Sequence, residues 1–132
     1  RVHLFVSSDA PDTDFTAKLL DIYPEGDARE ILVLDNIRRV KSRLGFDQAA
    51  PPLQGHEDVV ELEIDLWSTA WIFNRGHRIG LHISGSNSPR FEVNTNTGAD
   101  HPGPGVEMRI AHNRVYCGPQ YPSALVLPVP QK

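Results

Sequence analysis

The chain has little of what a disulfide framework, a metal knot or a membrane span requires. Its 132 residues contain one cysteine, Cys117. That excludes an internal disulfide and a zinc site of four cysteines, and a buried, inert thiol is the expectation there. No apolar run approaches the ~20 residues that a spanning helix needs, so a membrane partner is not expected. Charge of one sign is also scarce. The formal net charge is -4, and the 13 lysines and arginines are scattered. A phosphate-binding face needs them clustered, so nucleic acid is not expected as a partner. The start has neither an initiating methionine nor a signal-peptide pattern, and Arg1 to Val6 already alternates as a strand does. The expectation is a piece of a longer polypeptide, begun inside a strand.

Reactive groupings are missing as well. The glycines flanking a nucleophile serine in G-x-S-x-G are absent around Ile83-Ser84-Gly85-Ser86-Asn87-Ser88. These serines read as loop residues that cap backbone groups. Six histidines are present, but the spacings of His77 with His82 and of His101 with His112 match no local metal-ligand pattern. Asp9, Asp12 and Asp14 form the densest carboxylate cluster, without the glycine and glutamate of an EF-hand loop. Turn capping and ion pairing are the reading for them. No catalytic residue, metal or cofactor is expected.

What is present is punctuation. Ten glycines and eleven prolines separate short apolar runs, and that spacing predicts one all-β domain over residues 1–132. Isoleucine, leucine, valine and phenylalanine make up roughly 27% of the chain, above the ~20% associated with disorder. Strands are predicted for the opening segment, for Phe15 to Tyr23 and for Glu30 to Leu34. The clearest is Val59 to Leu66, with Val60, Leu62, Ile64 and Leu66 on one face, and Arg78 to Ser84 reads as its partner, with Ile79, Leu81 and Ile83 inside. Segments 106–111, 114–117 and 123–129 close the chain as short strands. Residues 35–44 fit either an edge strand or a helical stripe, and the reading leans to strand. Gly85 to Gly105 is long and polar, as functional or interface loops are. Many short antiparallel strands in one domain suggest two packed sheets.

Trp67, Trp71, Phe73 and Phe91 suit a core, a domain interface or a sugar-stacking platform. Arg78 calls for a carboxylate partner, and Asp65 on the expected neighbouring strand is the candidate. Arg90, between Pro89 and Phe91, suits either anchoring of the long loop or a reach to another domain.

The run Val6-Ser7-Ser8-Asp9-Ala10-Pro11-Asp12-Thr13-Asp14-Phe15-Thr16-Ala17-Lys18-Leu19 resembles the opening signature of the C-terminal domain of X-Pro dipeptidyl-peptidases. The CocE/NonD hydrolases (cocaine esterase, α-amino-acid ester hydrolases, glutaryl-7-aminocephalosporanic acid acylases) share that domain. Asp65-Leu66-Trp67-Ser68-Thr69-Ala70, then Phe73 and Gly76-His77-Arg78-Ile79, is similar to its central motif. Ile83-Ser84, Ser86, Pro89-Arg90-Phe91 and Asn94-Thr95-Asn96-Thr97-Gly98 continue it. Val115-Tyr116 and Pro122 to Val129 resemble its closing strands. The resemblance implies a jelly-roll, galactose-binding-like β-sandwich, truncated at its N-terminus, serving as the C-terminal accessory domain of a larger hydrolase. Its implied partners are an α/β-hydrolase domain with a Ser-Asp-His triad and a helical cap, all upstream. No triad residue maps onto this chain. The contact loops expected are 9–15, with Asp12, Asp14 and Phe15; 67–71, with Trp67 and Trp71; and 84–98, with Arg90, Phe91, Asn94 and Asn96. A carbohydrate-binding module is the alternative, and self-association through a leftover sheet edge is a third.

Overall fold

The computed structural model describes residues 1–129. Seven strands are found among them: β1 Val2–Ser8, β2 Asp14–Ile22, β3 Glu30–Arg39, β4 Gly55–Ile64, β5 Arg78–Ser84, β6 Asn113–Tyr116 and β7 Ala124–Leu125. A single 3-10 turn, Val40–Ser42, ends β3. In one sheet β1 lies between β4 on one side and β6 with β7 on the other; the second sheet has the order β3-β2-β5. All pairings are antiparallel. The two sheets form a β-sandwich.

Period-two alternation builds the interior, because a strand presents every second side chain to one face. Val2, Leu4 and Val6 of β1 and Leu62 and Ile64 of β4 come from one sheet. They meet Phe15, Ala17 and Leu19 of β2 from the other. Val40, Leu53 and Leu66 close the gap between the sheets, and Val33, Leu34, Leu81 and Ile83 pack at its margin. Two irregularities shape the layers. The β2–β3 register steps from Leu19 opposite Leu34 to Leu20 opposite Leu32, which bulges Val33 out of line. The β1–β4 register jumps from Val6 opposite Val60 to Ser8 opposite Gly55, where Gly55 takes a φ of 107° that favours glycine. Gly80 lets the side chains of β2 pack closely: a Cβ there would stand 2.5 Å from Ile22 Cδ1 and 3.3 Å from Leu20 Cβ, so Ile22 would have to move.

Several expectations are corrected. The strand expected from Val59 starts at Gly55, and its side chains point as predicted. Its partner is β1; β5 belongs to the other sheet and pairs with β2. Proximity in sequence suggested a hairpin that the intervening aromatic segment does not make. Arg78 consequently stands opposite Ile22 and makes no ion pair with Asp65 among the described residues; Asp65 Oδ1 instead accepts the backbone N–H of Trp67 at 3.0 Å. Leu81 and Ile83 face the core, but Ile79 is half exposed. Residues 35–44 divide: strand to Arg39, then the 3-10 turn. Residues 106–111 alternate like a strand but have no neighbouring strand, and Val106, Met108 and Ile110 face solvent. Of 123–129 only Ala124–Leu125 is strand. Cys117 is exposed, not buried.

Candidate functional site

Three features stand out, and the first is a polar hub beneath the opening loop. Asp14 begins β2 directly opposite Arg39 on β3. Arg39 donates to both its oxygens, Nε to Oδ1 at 2.9 Å and Nη2 to Oδ2 at 3.2 Å. Asn94 Nδ2 bridges Asp14 Oδ1 at 2.8 Å and Asp12 Oδ2 at 3.2 Å. Asp12 Oδ1 accepts the backbone N–H of Lys41 at 2.9 Å. Arg39 Nη1 reaches the carbonyl of Asp100 at 2.9 Å. The hydrogen bonds to Asp14 above all hold the Arg39 guanidinium above its ordinary range, against the opposing effect of burial. Asp9 ties in the chain's later part: its oxygens accept His112 N and face His112 Nδ1 at 2.8 and 2.7 Å. The hub is structural, since every oxygen of Asp12 and Asp14 is occupied by a donor of this chain. The capping and ion-pairing reading of these aspartates holds.

Asp12, Asp14, Phe15 and Asn94 were expected at a contact surface. All four are buried inside the domain: Asp12, Asp14 and Asn94 hold the loop from beneath, and Phe15 packs in the core. Asn96, at a φ of 61°, also fixes the loop from within, since its N–H donates to Asn94 Oδ1 and its Nδ2 to the carbonyl of Arg109, both at 2.8 Å.

The long loop is latched to the outer face of β3. Asp35 Oδ2 receives Asn87 Nδ2 at 2.9 Å and lies 3.1 Å from Arg90 Nε. Arg90 thus anchors the loop, and its guanidinium also stacks 5.4 Å above Phe91. Phe91 and the exposed Phe46 line a depression of about 250 Å³ beside Arg38 and Arg39.

The third feature is an apolar groove of about 450 Å³ at one end of the sandwich. Leu19, Leu34 and Leu66 of the core form its floor; Trp67, Trp71, Phe73 and Ile79 form one wall, and Val126 to Val129 another. Trp67 is 73% exposed, Trp71 41% and the adjacent Ile72 81%. Of the four aromatics singled out in the sequence, three meet here and Phe91 lies in the other depression. Behind the wall sits Asp21, fully buried, which was not foreseen. Its Oδ2 accepts Trp71 Nε1 at 3.2 Å, and its Oδ1 lies 2.7 Å from His77 Nδ1. His77 stacks on Tyr23 at 4.3 Å between ring centroids. The signal was its parity: Asp21 continues the inward series Phe15, Ala17, Leu19.

Among the described residues no hydroxyl is presented as a nucleophile where serine and histidine meet. Ser7 Oγ lies 3.4 Å from His56 Nδ1, but Ser7 is fully enclosed and its hydroxyl is shared with Tyr116 at 2.9 Å. Ser84 Oγ is spent on Thr16 Oγ1 and the carbonyl of Ser86. Among the described residues no group of three or more His, Cys, Asp or Glu is disposed to hold a metal.

What these features define is a β-sandwich domain with a polar hub, a latched loop and an open apolar end. Residues 1–126 match the family described as the X-Pro dipeptidyl-peptidase C-terminal non-catalytic domain, and the chain belongs to that family. A cocaine esterase of Rhodococcus sp. (strain MB1 Bresler) is 42% identical over 133 residues, covering 96% of this chain and 21% of the esterase. The structure of an α-amino acid ester hydrolase superposes with a TM-score of 0.81 at 29% identity, over 92% of this chain and 21% of the hydrolase. An aminopeptidase from a marine sediment archaeon, Thaumarchaeota archaeon, superposes with a TM-score of 0.81 at 27% identity and the same coverage. The chain thus spans about a fifth of the length of these relatives.

Proposed function

We propose that this domain is the accessory lobe of a larger serine hydrolase, packing on an α/β-hydrolase domain of the same polypeptide and helping to wall its substrate pocket. The observation that carries the reading is the open apolar end, where two tryptophans and Ile72 stand in solvent over a groove floored by the core. Exposed patches of this kind mark contact surfaces. Loop 67–73, which walls the groove, and loop 84–98, beside the second depression, are both held by a rigid sandwich, which suits a docking and pocket-lining role. Arg90 and Phe91, on the second loop, are the further contact candidates. The relatives' names speak of esters and of peptide cleavage, so the whole polypeptide's substrates are taken to be acyl esters or amides. The domain itself supplies no triad residue.

The test has two arms. The 132-residue chain alone is expected to give no turnover of an activated ester; hydrolysis blocked by a serine reagent would overturn the reading. In the polypeptide that carries the catalytic domain, Trp67→Ala is expected to weaken domain docking by about 2 kcal/mol, a typical cost of truncating a buried anchor. Unchanged docking would overturn it too.

The carbohydrate-binding reading is favoured by one observation, the exposure of both Trp67 and Trp71 in one groove. Sugar stacking needs such faces. Saturable perturbation of the tryptophans by an oligosaccharide would support it over docking.

A further inference from the structure

Trp67 to Phe73 has no regular structure and is rich in apolar side chains. Left to itself, such a segment folds its aromatic rings down into the adjoining groove, because that removes apolar surface from water. Here Trp67 stays 73% exposed and Trp71 41% exposed. Two carboxylates account for this. Asp65 Oδ1 accepts the Trp67 N–H at 3.0 Å, two residues on, an Asx turn. That bond accompanies a φ of 65° at Trp67, a left-handed conformation that a bulky residue rarely takes unless its surroundings impose it. Asp65 is itself tethered, since its carbonyl accepts Asn36 Nδ2 from β3 at 2.6 Å. Asp21 holds the far end. One oxygen takes the Trp71 indole N–H and the other faces His77, so a rigid β2 residue grips the segment on both sides of the turn at residues 74–76.

We propose that Asp21 and Asp65 are positioning residues that set the two tryptophans in their docking arrangement before any partner arrives. The apolar end is then preassembled, and association need not bear the cost of ordering it. The inference rests on the docking role proposed above, with the catalytic domain of the same polypeptide as the occupant, but it is measured on this chain alone.

The two indole N–H groups provide the measurement, each a separate signal in a proton–nitrogen correlation spectrum, assigned with Trp67→Phe. The Trp71 indole proton is expected to exchange with solvent at least tenfold more slowly than that of Trp67, which has no acceptor among the described residues. Asp21→Ala, which removes the acceptor, is expected to abolish the difference while the strand amides keep their protection. Asp65→Ala, which removes the Asx-turn acceptor, is expected to speed exchange of the Trp67 backbone N–H and leave the Trp71 indole unaffected. Equal indole exchange in the unmodified chain would overturn the proposal without need of any variant. So would retained slow exchange in a folded Asp21→Ala chain. Neither result bears on whether the domains dock, which the Trp67→Ala experiment decides separately.

Discussion

At the scale of single residues, Asp14 carries the most. It is enclosed, and its carboxylate satisfies Arg39 and Asn94 together. Removing one partner of a buried ion pair strands the other, which costs more than the pair is worth. Asp14→Ala is therefore expected to lower stability by about 3 kcal/mol, near the foot of the range for such pairs. Denaturant unfolding measures this, and a loss below about 0.5 kcal/mol, the usual ceiling for a surface change, would refute it. The sequence disclosed the acceptors and not the donors. Clustered aspartates in a proline-containing loop announce capping, but Arg39 and Asn94 lie 25 and 80 positions away from Asp14, and only the fold brings them in. Asp21 was hidden for the same reason: one carboxylate on an inward parity looks like a strand end until Trp71 and His77 arrive from beyond β4.

At the scale of elements, alternation made the strands legible and said nothing about which edges meet. The period of two in Val60, Leu62, Ile64 and Leu66 gave the correct buried face of β4. Its pairing with β1 joins residues from Ser8 with Gly55 to Val2 with Ile64, far apart in the chain, for which local pattern has no signal. Residues 106–111 show the converse failure, an alternation with no strand beside it; Arg109 binds that segment to the carbonyls of Thr95 and Asp9 instead. The third reading of the sequence, association through an open edge, meets an obstacle at β4. Arg38 Nε donates to the carbonyl of Glu63 at 3.1 Å, and Asn36 Nδ2 to that of Asp65. Side chains from β3 thus cover backbone acceptors on the rim of the other sheet, a known means of blunting an edge. Replacing both, Asn36→Ala with Arg38→Ala, is expected to make the scattering mass climb with concentration more steeply than in the unmodified chain. Identical concentration series would remove β4 from consideration.

At the scale of the whole molecule, the family and the sandwich were legible because motifs from residue 6 to residue 129 fall in one order, even though each alone is weak. The groove was not, since its walls come from segments 67–79 and 126–129, which only the closed sandwich aligns. Stability against acid is also a global property. The backbone N–H of His112 foremost holds Asp9 below the ordinary carboxylate range; the Arg29 side chain does so for Asp27, and Lys41 for Asp100. A depressed folded value means these groups contribute fully above about pH 4, the unfolded carboxylate range, and lose that contribution as pH falls through their folded values below it. The urea midpoint is expected to drop over that interval, and less steeply when all three are asparagine; identical slopes would contradict the assignment. Finally, the chain has two tryptophans, and both stand at the groove while the hydrophobic interior holds neither. Its ultraviolet emission is accordingly a gauge of cover: it answers to whatever shades that end of the sandwich and is nearly silent about the packing between the sheets.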